Sequence, residues 1–238
     1  MPEAIKPFRA THYNLHAIKD FSSVVCPPYD VISKKQEYLL KRKSIYNFCN
    51  ILLATGGDYK ALGEKFRRWI AEKILVADSK ESLYIYEQNF MLEHKKYVRF
   101  GILALLKMSG KGAIFPHEYT LKAPKEDRKR IIKEVKANLS PIFVIAPKSL
   151  AILKNTYKSY CKNKPFLKFK DTEGNASRVW KIESRLLIAK ICREFAKHKL
   201  VIADGHHRFE VSYNYYRKNK NRSRDLDYIL AYITDVQE

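Results

Sequence analysis

Apolar residues recur at intervals of three or four positions in five segments of the chain, the spacing that places them on one face of an α-helix. The segments are marked by Leu62, Phe66, Trp69, Ile70 and Ile74; Ile131, Ile132, Val135 and Leu139; Leu150, Leu153 and Tyr157; Leu187, Ile191 and Phe195; and Phe209, Tyr213 and Tyr216. Each is therefore expected to be an amphipathic helix, with Trp69 in the core. About the first 50 residues look irregular, and the prolines of Cys26-Pro27-Pro28-Tyr29-Asp30 predict an extended loop.

Other apolar runs have the composition of β-strands. Residues 82–86 and 97–106 are rich in β-branched and aromatic side chains on either side of a polar stretch, so they predict a long hairpin. Further strands are expected at 113–115, 141–146, 178–182 and 199–203, with a turn at 171–175. The near-continuous apolar run at 199–203 predicts a central, buried strand. Together the patterns predict a mixed α+β fold.

The composition is that of a globular chain able to bury a sizeable core, since 46% of its 238 residues are hydrophobic. No apolar run is long enough to cross a membrane and no secretion signal opens the sequence, so the cytoplasm is the expected location. The four cysteines lie far apart and are expected to be reduced thiols. The apolar run at 228–233 comes close to the last residue without a turn or cap, which suggests a truncated C-terminus.

The chain carries 46 basic and 25 acidic residues, a formal net charge of +21. Such a field concentrates nucleotides, acidic metabolites or nucleic acid near a surface, and it does not select among them. The lysines are spread over the whole chain instead of forming one block. A generally lysine-rich composition is therefore an equally good explanation of the charge.

The turn Asp204-Gly205-His206-His207-Arg208 carries the strongest chemical signal. It joins a strand to a helix, so the free N–H groups of the first helical turn favour an anion there. Arg208 adds a fork of donors suited to phosphate, and Asp204 would repel that phosphate unless it held Mg²⁺. One histidine, His206 or His207, is expected to donate to the ligand while the other packs. Alternatively, Asp204 only caps the helix and both histidines lie on the surface.

The second candidate is the loop Pro116-His117-Glu118, which follows a predicted strand. Glu118 is a candidate general base or metal ligand, with His117 beside it, although a solvated loop glutamate is the simpler interpretation. A zinc site combining both motifs is disfavoured, because neither has the spacing of a helical zinc motif. We expect Glu118 and the turn at 204–208 to lie in one cleft. Tyr29 and Asp30 are secondary candidates, since their rigid loop either flanks the pocket or forms a structural corner.

Several segments together resemble domain-of-unknown-function family number one thousand fifteen. The motifs are Ile5-Lys6-Pro7-Phe8-Arg9-Ala10, Pro27-Pro28-Tyr29-Asp30-Val31-Ile32, Tyr46-Asn47-Phe48, Leu83-Tyr84-Ile85-Tyr86-Glu87-Gln88, His117-Glu118 with Lys125-Glu126-Asp127-Arg128, and Ile202-Ala203-Asp204-Gly205-His206-His207-Arg208. They follow the order of the family and span nearly the whole chain, and they add Arg128 as a further secondary candidate.

Archaeal members of that family are often described as ParB-like, and the chain is distantly similar to ParB, sulfiredoxin and free-serine kinases. These share an early glutamate, a strand beginning Pro-Ile and a later phosphate-binding turn, matched here by Glu118, Pro141-Ile142-Phe143-Val144 and the turn at 204–208. The resemblance implies a ParB/sulfiredoxin-like nucleotide-binding region at 111–238, preceded by an extra N-terminal α/β region at 1–110.

By this resemblance, Glu118 is the catalytic acid/base, with His117 and His206 beside the chemistry. Asp204 and Glu118 would hold Mg²⁺, while Gly205, His207 and Arg208 would bind the phosphates of ATP or another nucleotide. The expected function is phosphate transfer to a small hydroxyl compound such as free serine. A ParB-like, nucleotide-dependent DNA-binding protein and a non-catalytic nucleotide or metabolite sensor are the alternatives. The sequence does not identify the acceptor or the oligomeric state.

Overall fold

The computed structural model describes residues 4–108 and 122–236. Within them, seven α-helices follow one another in chain order: α1 (Lys34–Lys43), α2 (Cys49–Leu52), α3 (Tyr59–Ala71), α4 (Lys122–Val135), α5 (Ala151–Tyr160), α6 (Arg185–Phe195) and α7 (His206–Asn219). The same residues contain ten strands: β1 (Ile5–Lys6), β2 (Thr11–Tyr13), β3 (Leu75–Ala77), β4 (Leu83–Leu92), β5 (Lys95–Lys107), β6 (Ile142–Ala146), β7 (Leu167–Lys170), β8 (Ala176–Ile182), β9 (Val201–Asp204) and β10 (Tyr228–Asp235). The predicted mixed α+β class is confirmed.

The larger sheet has the strand order β7-β8-β4-β5-β10-β6-β9, and β1 pairs with the end of β5. The β4–β5 hairpin is antiparallel and turns at Glu93 and His94, both with positive φ. Among the described strand pairs of this sheet, β10–β6 alone is parallel. Strands from both sides of residue 110 therefore share one sheet. The strand expected at 113–115 lies outside the described residues.

The prediction of a central strand at 199–203 is wrong. The strand there, β9, occupies the end of the described sheet and pairs with β6 alone, and Val201 is 37% exposed. An apolar run shows that a segment is β-like, but long-range pairing decides its place in the sheet. The central place next to β5 belongs instead to β10, which has six buried residues out of eight.

The expectation of an irregular first 50 residues is also wrong in part, because α1 lies there. Ser33 caps α1 by accepting from the backbone N–H of Gln36, and the Gln36 side chain accepts from the backbone N–H of Ser33. This capping box satisfies two donors at the helix start. Leu40 is the one buried residue of α1, so the helix lacks the apolar stripe on which the sequence prediction relied.

The described residues form two hydrophobic cores. In the first, the large sheet packs against α5 and α6 through side chains such as Ile102, Leu153 and Phe195. The second core gathers α3, α4 and the small β2–β3 sheet around Trp69 and Ile131. Helix α4 also contacts α7, and this contact joins the two cores, called the two layers below. In the described part of the chain, no helix is long and apolar enough to span a membrane.

Candidate functional site

A polar and aromatic face of the large sheet forms the floor of a cleft. Side chains alternate between the two faces of a strand, so residues paired across strands share a face. The register pairs Gln88 with Arg99, and it places Phe143 between Tyr232 on one side and Asp204 on the other. The floor therefore runs over β4, β5, β10 and β6 to the turn at Asp204.

Close ring contacts hold this floor together. Tyr232 meets Tyr86 edge to face at 5.5 Å between ring centroids and stacks on Phe143 at 5.6 Å. Gly101 leaves room for this packing, since a Cβ atom there would lie 2.6 Å from the Tyr232 ring. The Tyr86 hydroxyl shares a hydrogen bond of 3.1 Å with the Ser177 hydroxyl. Burial raises the pKa of Tyr86, so its hydroxyl stays protonated at neutral pH.

The walls of the cleft come from distant parts of the chain and enclose about 510 Å³. One wall is the loop Cys26-Pro27-Pro28-Tyr29-Asp30, called the proline loop below, which contributes Cys26 and Tyr29. Another wall is the segment 139–141. The turn at 171–173 closes the side near β8. Burial raises the pKa of Cys26 to about 12, so this thiol is not a nucleophile at neutral pH.

The turn at 204–208 opens onto the cleft through Asp204 and Arg208. Gly205 precedes α7 with a φ of 93°, in the left-handed region where glycine is favoured. The Arg208 guanidinium donates to the carboxylate of Asp204 and to the carbonyl oxygen of Pro141. Asp204 thus accepts from Arg208, and it makes no side-chain cap on the described α7.

The two histidines of the turn differ in exposure. His206 is buried, with 5% of its surface exposed, and His207 is half-buried. The Nδ1 atom of His207 is buried and has no hydrogen-bond partner among the described residues. Neither histidine is among the described residues that line the cleft. The observed burial of His206 and His207 differs from the alternative interpretation of the sequence, in which both histidines lie on the surface.

Tyr29 brings a second arginine, Arg128, close to the turn. The guanidinium of Arg128 lies 3.9 Å from the centre of the Tyr29 ring and pairs with Asp127. Burial raises the pKa of Tyr29, and the positive charges of Arg128 and Arg208 act in the opposite direction. Both arginines are thus near enough to affect the Tyr29 hydroxyl. Asp30, the other secondary candidate of this loop, is exposed.

The structure therefore brings Tyr29, Arg128, Asp204 and Arg208 to one region. His117 and Glu118 lie outside the described residues, so their expected place in the same cleft stays a prediction. No group of three histidine, cysteine or acidic side chains that could hold a metal occurs among the residues described. Because Mg²⁺ in nucleotide sites is bound by one or two carboxylates with phosphates and water, Asp204 remains compatible with it.

Several residues of the floor were not among the sequence candidates, although a signal existed for them. Tyr86 and Gln88 alternate along a motif that carried the family resemblance, and Arg99 interrupts the apolar run of β5. A charged side chain inside such a strand is uncommon unless it has a partner or a function. That criterion would have selected Arg99.

Comparison with known proteins identifies the family of the chain. The sequence pattern of a family described as a protein of unknown function (DUF1015) matches residues 5–238. The chain belongs to the DUF1015 family. The matched range contains the proline loop, the floor strands and the turn at 204–208. No curated protein and no solved structure matches the chain.

Proposed function

We propose that this DUF1015 protein is a nucleotide-dependent phosphotransferase that acts on a small hydroxyl compound. The observation that carries the proposal is the position of Arg208, at the start of α7 and on the wall of a cleft with an aromatic floor. A helix start and a guanidinium together attract phosphate. The aromatic rings of Tyr86, Phe143 and Tyr232 offer apolar surface for the rest of the ligand.

The pair of Asp204 and Arg208 supports a magnesium nucleotide as the phosphate donor. An incoming phosphate competes with Asp204 for the guanidinium of Arg208, and this exchange leaves the carboxylate free to hold Mg²⁺. When bound, Mg²⁺ would neutralise charge on the phosphate oxygens. Glu118 would accept the proton of the acceptor hydroxyl, as the resemblance to free-serine kinases implies.

The test compares three variants with the wild type for Mg-ATP affinity by calorimetry and for single-turnover phosphate transfer to free serine or another hydroxyl compound. Arg208→Ala and Asp204→Asn are expected to weaken nucleotide binding, because each removes a charged contact. Glu118→Gln keeps its shape but cannot accept a proton. It is therefore expected to bind nucleotide and to turn over roughly 10²-fold more slowly. Arg130→Ala, which changes an exposed ion pair with Glu126, is the control.

Each negative result has a definite meaning. Full activity in Glu118→Gln would remove Glu118 as the base. A wild type with no nucleotide affinity at any Mg²⁺ concentration would overturn the phosphotransferase proposal. Salt-sensitive binding to random duplex DNA, combined with nucleotide binding and no product, would instead favour the ParB-like DNA-binding alternative. Nucleotide binding with neither DNA binding nor product would favour a sensor.

A further inference from the structure

Arg99 occupies the floor of the cleft without a charged partner among the described residues. It lies on β5 and is half-buried. Its guanidinium donates a hydrogen bond of 2.7 Å to the side-chain oxygen of Gln88. The Nε atom of Arg99 is buried and has no hydrogen-bond partner among the described residues. Residues 4–108 and 122–236 thus give this cation one acceptor, a neutral one.

Other arginines near the sheet and the cleft are compensated differently. Each of three donates to a carboxylate: Arg128 to Asp127, Arg178 to Glu87 and Arg208 to Asp204. Arg178 shows the contrast well, because it projects from the same sheet and pairs with the fully buried Glu87. Removing a guanidinium from water is unfavourable unless a counter-ion and hydrogen bonds replace the water. Arg99 lacks that counter-ion within the described protein.

Aromatic rings fix the direction of the Arg99 side chain. Its guanidinium carbon lies 5.5 Å from the centre of the Phe90 ring and 5.2 Å from the centre of the Phe143 ring. Phe143 is on β6, two strands away from β5, so the side chain extends across the floor toward the turn at 204–208. Rings on its faces leave the N–H edge of a guanidinium as the place for an anion.

The remaining distance suits a small molecule. Asp204 is the direct neighbour of Phe143 across the β6–β9 pair, and adjacent strands lie about 4.8 Å apart. The Arg99 guanidinium, already next to Phe143, is thus separated from the Asp204–Arg208 pair by about the width of one or two strands. A short metabolite can place one group on Arg99 and another beside a phosphate held at Arg208.

We propose that Arg99 binds the carboxylate of the phosphate acceptor, so that the acceptor is a small hydroxy acid. A carboxylate matches the guanidinium fork with two parallel hydrogen bonds. The inference rests on the proposed function for the role of the hydroxyl, whereas binding of the carboxylate to Arg99 is independent of phosphate transfer. Arg99 is then a specificity residue that separates acids from their neutral analogues.

Two substitutions test this role in complementary ways. Arg99→Gln removes the cation. Gln88→Glu keeps Arg99 and supplies it with an internal carboxylate, 2.7 Å away in the present geometry, which competes with the ligand. Gln88→Glu therefore distinguishes loss of recognition from loss of the fold, because the new ion pair does not disrupt packing. Arg193→Gln is the charge-matched control, since Arg193 lines a different cavity and donates to its own helix at Ala189.

The measurement is ligand-induced thermal stabilisation, followed by calorimetry, with matched pairs of probes: glycerate against glycerol and lactate against lactamide. The wild type and Arg193→Gln are expected to bind the acids and not the neutral compounds. In Arg99→Gln and Gln88→Glu the affinity for the acids is expected to fall at least about tenfold, the scale of one charge-assisted contact. Mg-ATP affinity, measured in parallel, is expected to stay within about twofold in all four proteins.

The possible failures are distinguishable. The inference is overturned if neither acid binds the wild type, if acids and neutral analogues bind equally, or if Arg99→Gln weakens Mg-ATP instead of the acids. In the last case Arg99 contacts the nucleotide phosphates. If the acids bind through Arg99 but no nucleotide binds, the phosphotransferase proposal fails while the role of Arg99 stands.

Discussion

At the scale of single residues, the candidate site depends on one backbone position. Gly205 has a φ of 93°, and an added Cβ atom would lie 3.0 Å from the guanidinium of Arg208. The glycine thus provides both the left-handed turn and the space in which Arg208 reaches Asp204. A side chain at this position should disturb the turn and the arginine together.

Gly205→Ala is expected to lower stability by about 1–2 kcal/mol through left-handed strain and to weaken Mg-ATP binding by displacing Arg208. Gly57→Ala is the matched control. Its φ is 79°, but nothing lies within 4 Å of its added Cβ atom. Urea unfolding should show similar losses of stability in both variants, whereas calorimetry should show weaker nucleotide binding in Gly205→Ala alone. Equal nucleotide affinity in the two variants would contradict the proposed role of Arg208.

The sequence predicted the residues of this turn better than their surroundings. Asp204 and Arg208 could be recognised because a local strand–turn–helix pattern places them at a helix start. The hydrogen bond from Arg208 to the Pro141 carbonyl and the burial of His206 depend on parts of the chain that are distant in sequence. Arg99 reaches the same cleft only through the pairing of four strands, which no local pattern encodes.

At the scale of elements, periodicity predicted the strongly amphipathic helices and failed for polar or short ones. Helix α3 follows most of its predicted stripe, with Leu62, Phe66 and Trp69 buried, whereas Ile70 is exposed. Helix α1 was missed although Ser33 and Gln36 have the spacing of a capping box. Strand β7 was also missed, although its residues alternate between half-buried and exposed positions. A local rule existed for both elements, whereas the edge position of β9 has no local signal.

Asp78 connects the small β2–β3 sheet to the large sheet. Its carboxylate accepts from His12 of β2, from Tyr84 of β4 and from Lys181 of β8. Burial alone would raise the pKa of Asp78, but these hydrogen bonds more than offset it and lower the pKa below its usual value. Since the folded state favours the carboxylate, this contribution to stability is present above the ordinary aspartate pKa of about 3.9 and is lost as the pH falls below it.

Asp78→Asn is therefore expected to reduce the free energy of unfolding by about 2 kcal/mol at neutral pH, the scale of hydrogen bonds to a charged group. The difference from wild type should shrink as the pH is lowered through the acidic range, because the wild-type carboxylate then becomes protonated. Urea unfolding at several pH values measures both effects. Asp225→Asn is the control, because the Asp225 side chain is 80% exposed in its ion pair with Lys6 and should contribute less than about 1 kcal/mol.

At the scale of the whole molecule, contacts cross between the two cores at several places. Helix α4 packs on α3 in the core around Trp69, called the helical core, and on α7 next to the sheet. Lys125 of α4 also pairs with Glu210 of α7. The proline loop, the floor strands and the turn at 204–208 meet at the cleft between the layers. A ligand bound there contacts both layers. The cores are therefore expected to unfold together, although chains longer than about 150 residues often unfold in steps.

The chain contains two tryptophans, one in each core, and they make this expectation measurable. Trp69 is 2% exposed among the helices, and Trp180 is 3% exposed on the sheet. Trp180→Phe leaves Trp69 as the reporter of the helical core, and Trp69→Phe leaves Trp180 as the reporter of the sheet core. Within each variant, the urea midpoint from tryptophan fluorescence is expected to equal the midpoint from far-ultraviolet circular dichroism. This comparison is made inside one protein, so the hydrogen bond that Trp180→Phe loses to the Asn163 carbonyl does not bias it. If Trp69 fluorescence changes at lower urea than the circular dichroism, the helical core opens by itself, and the cleft loses one wall before the sheet unfolds.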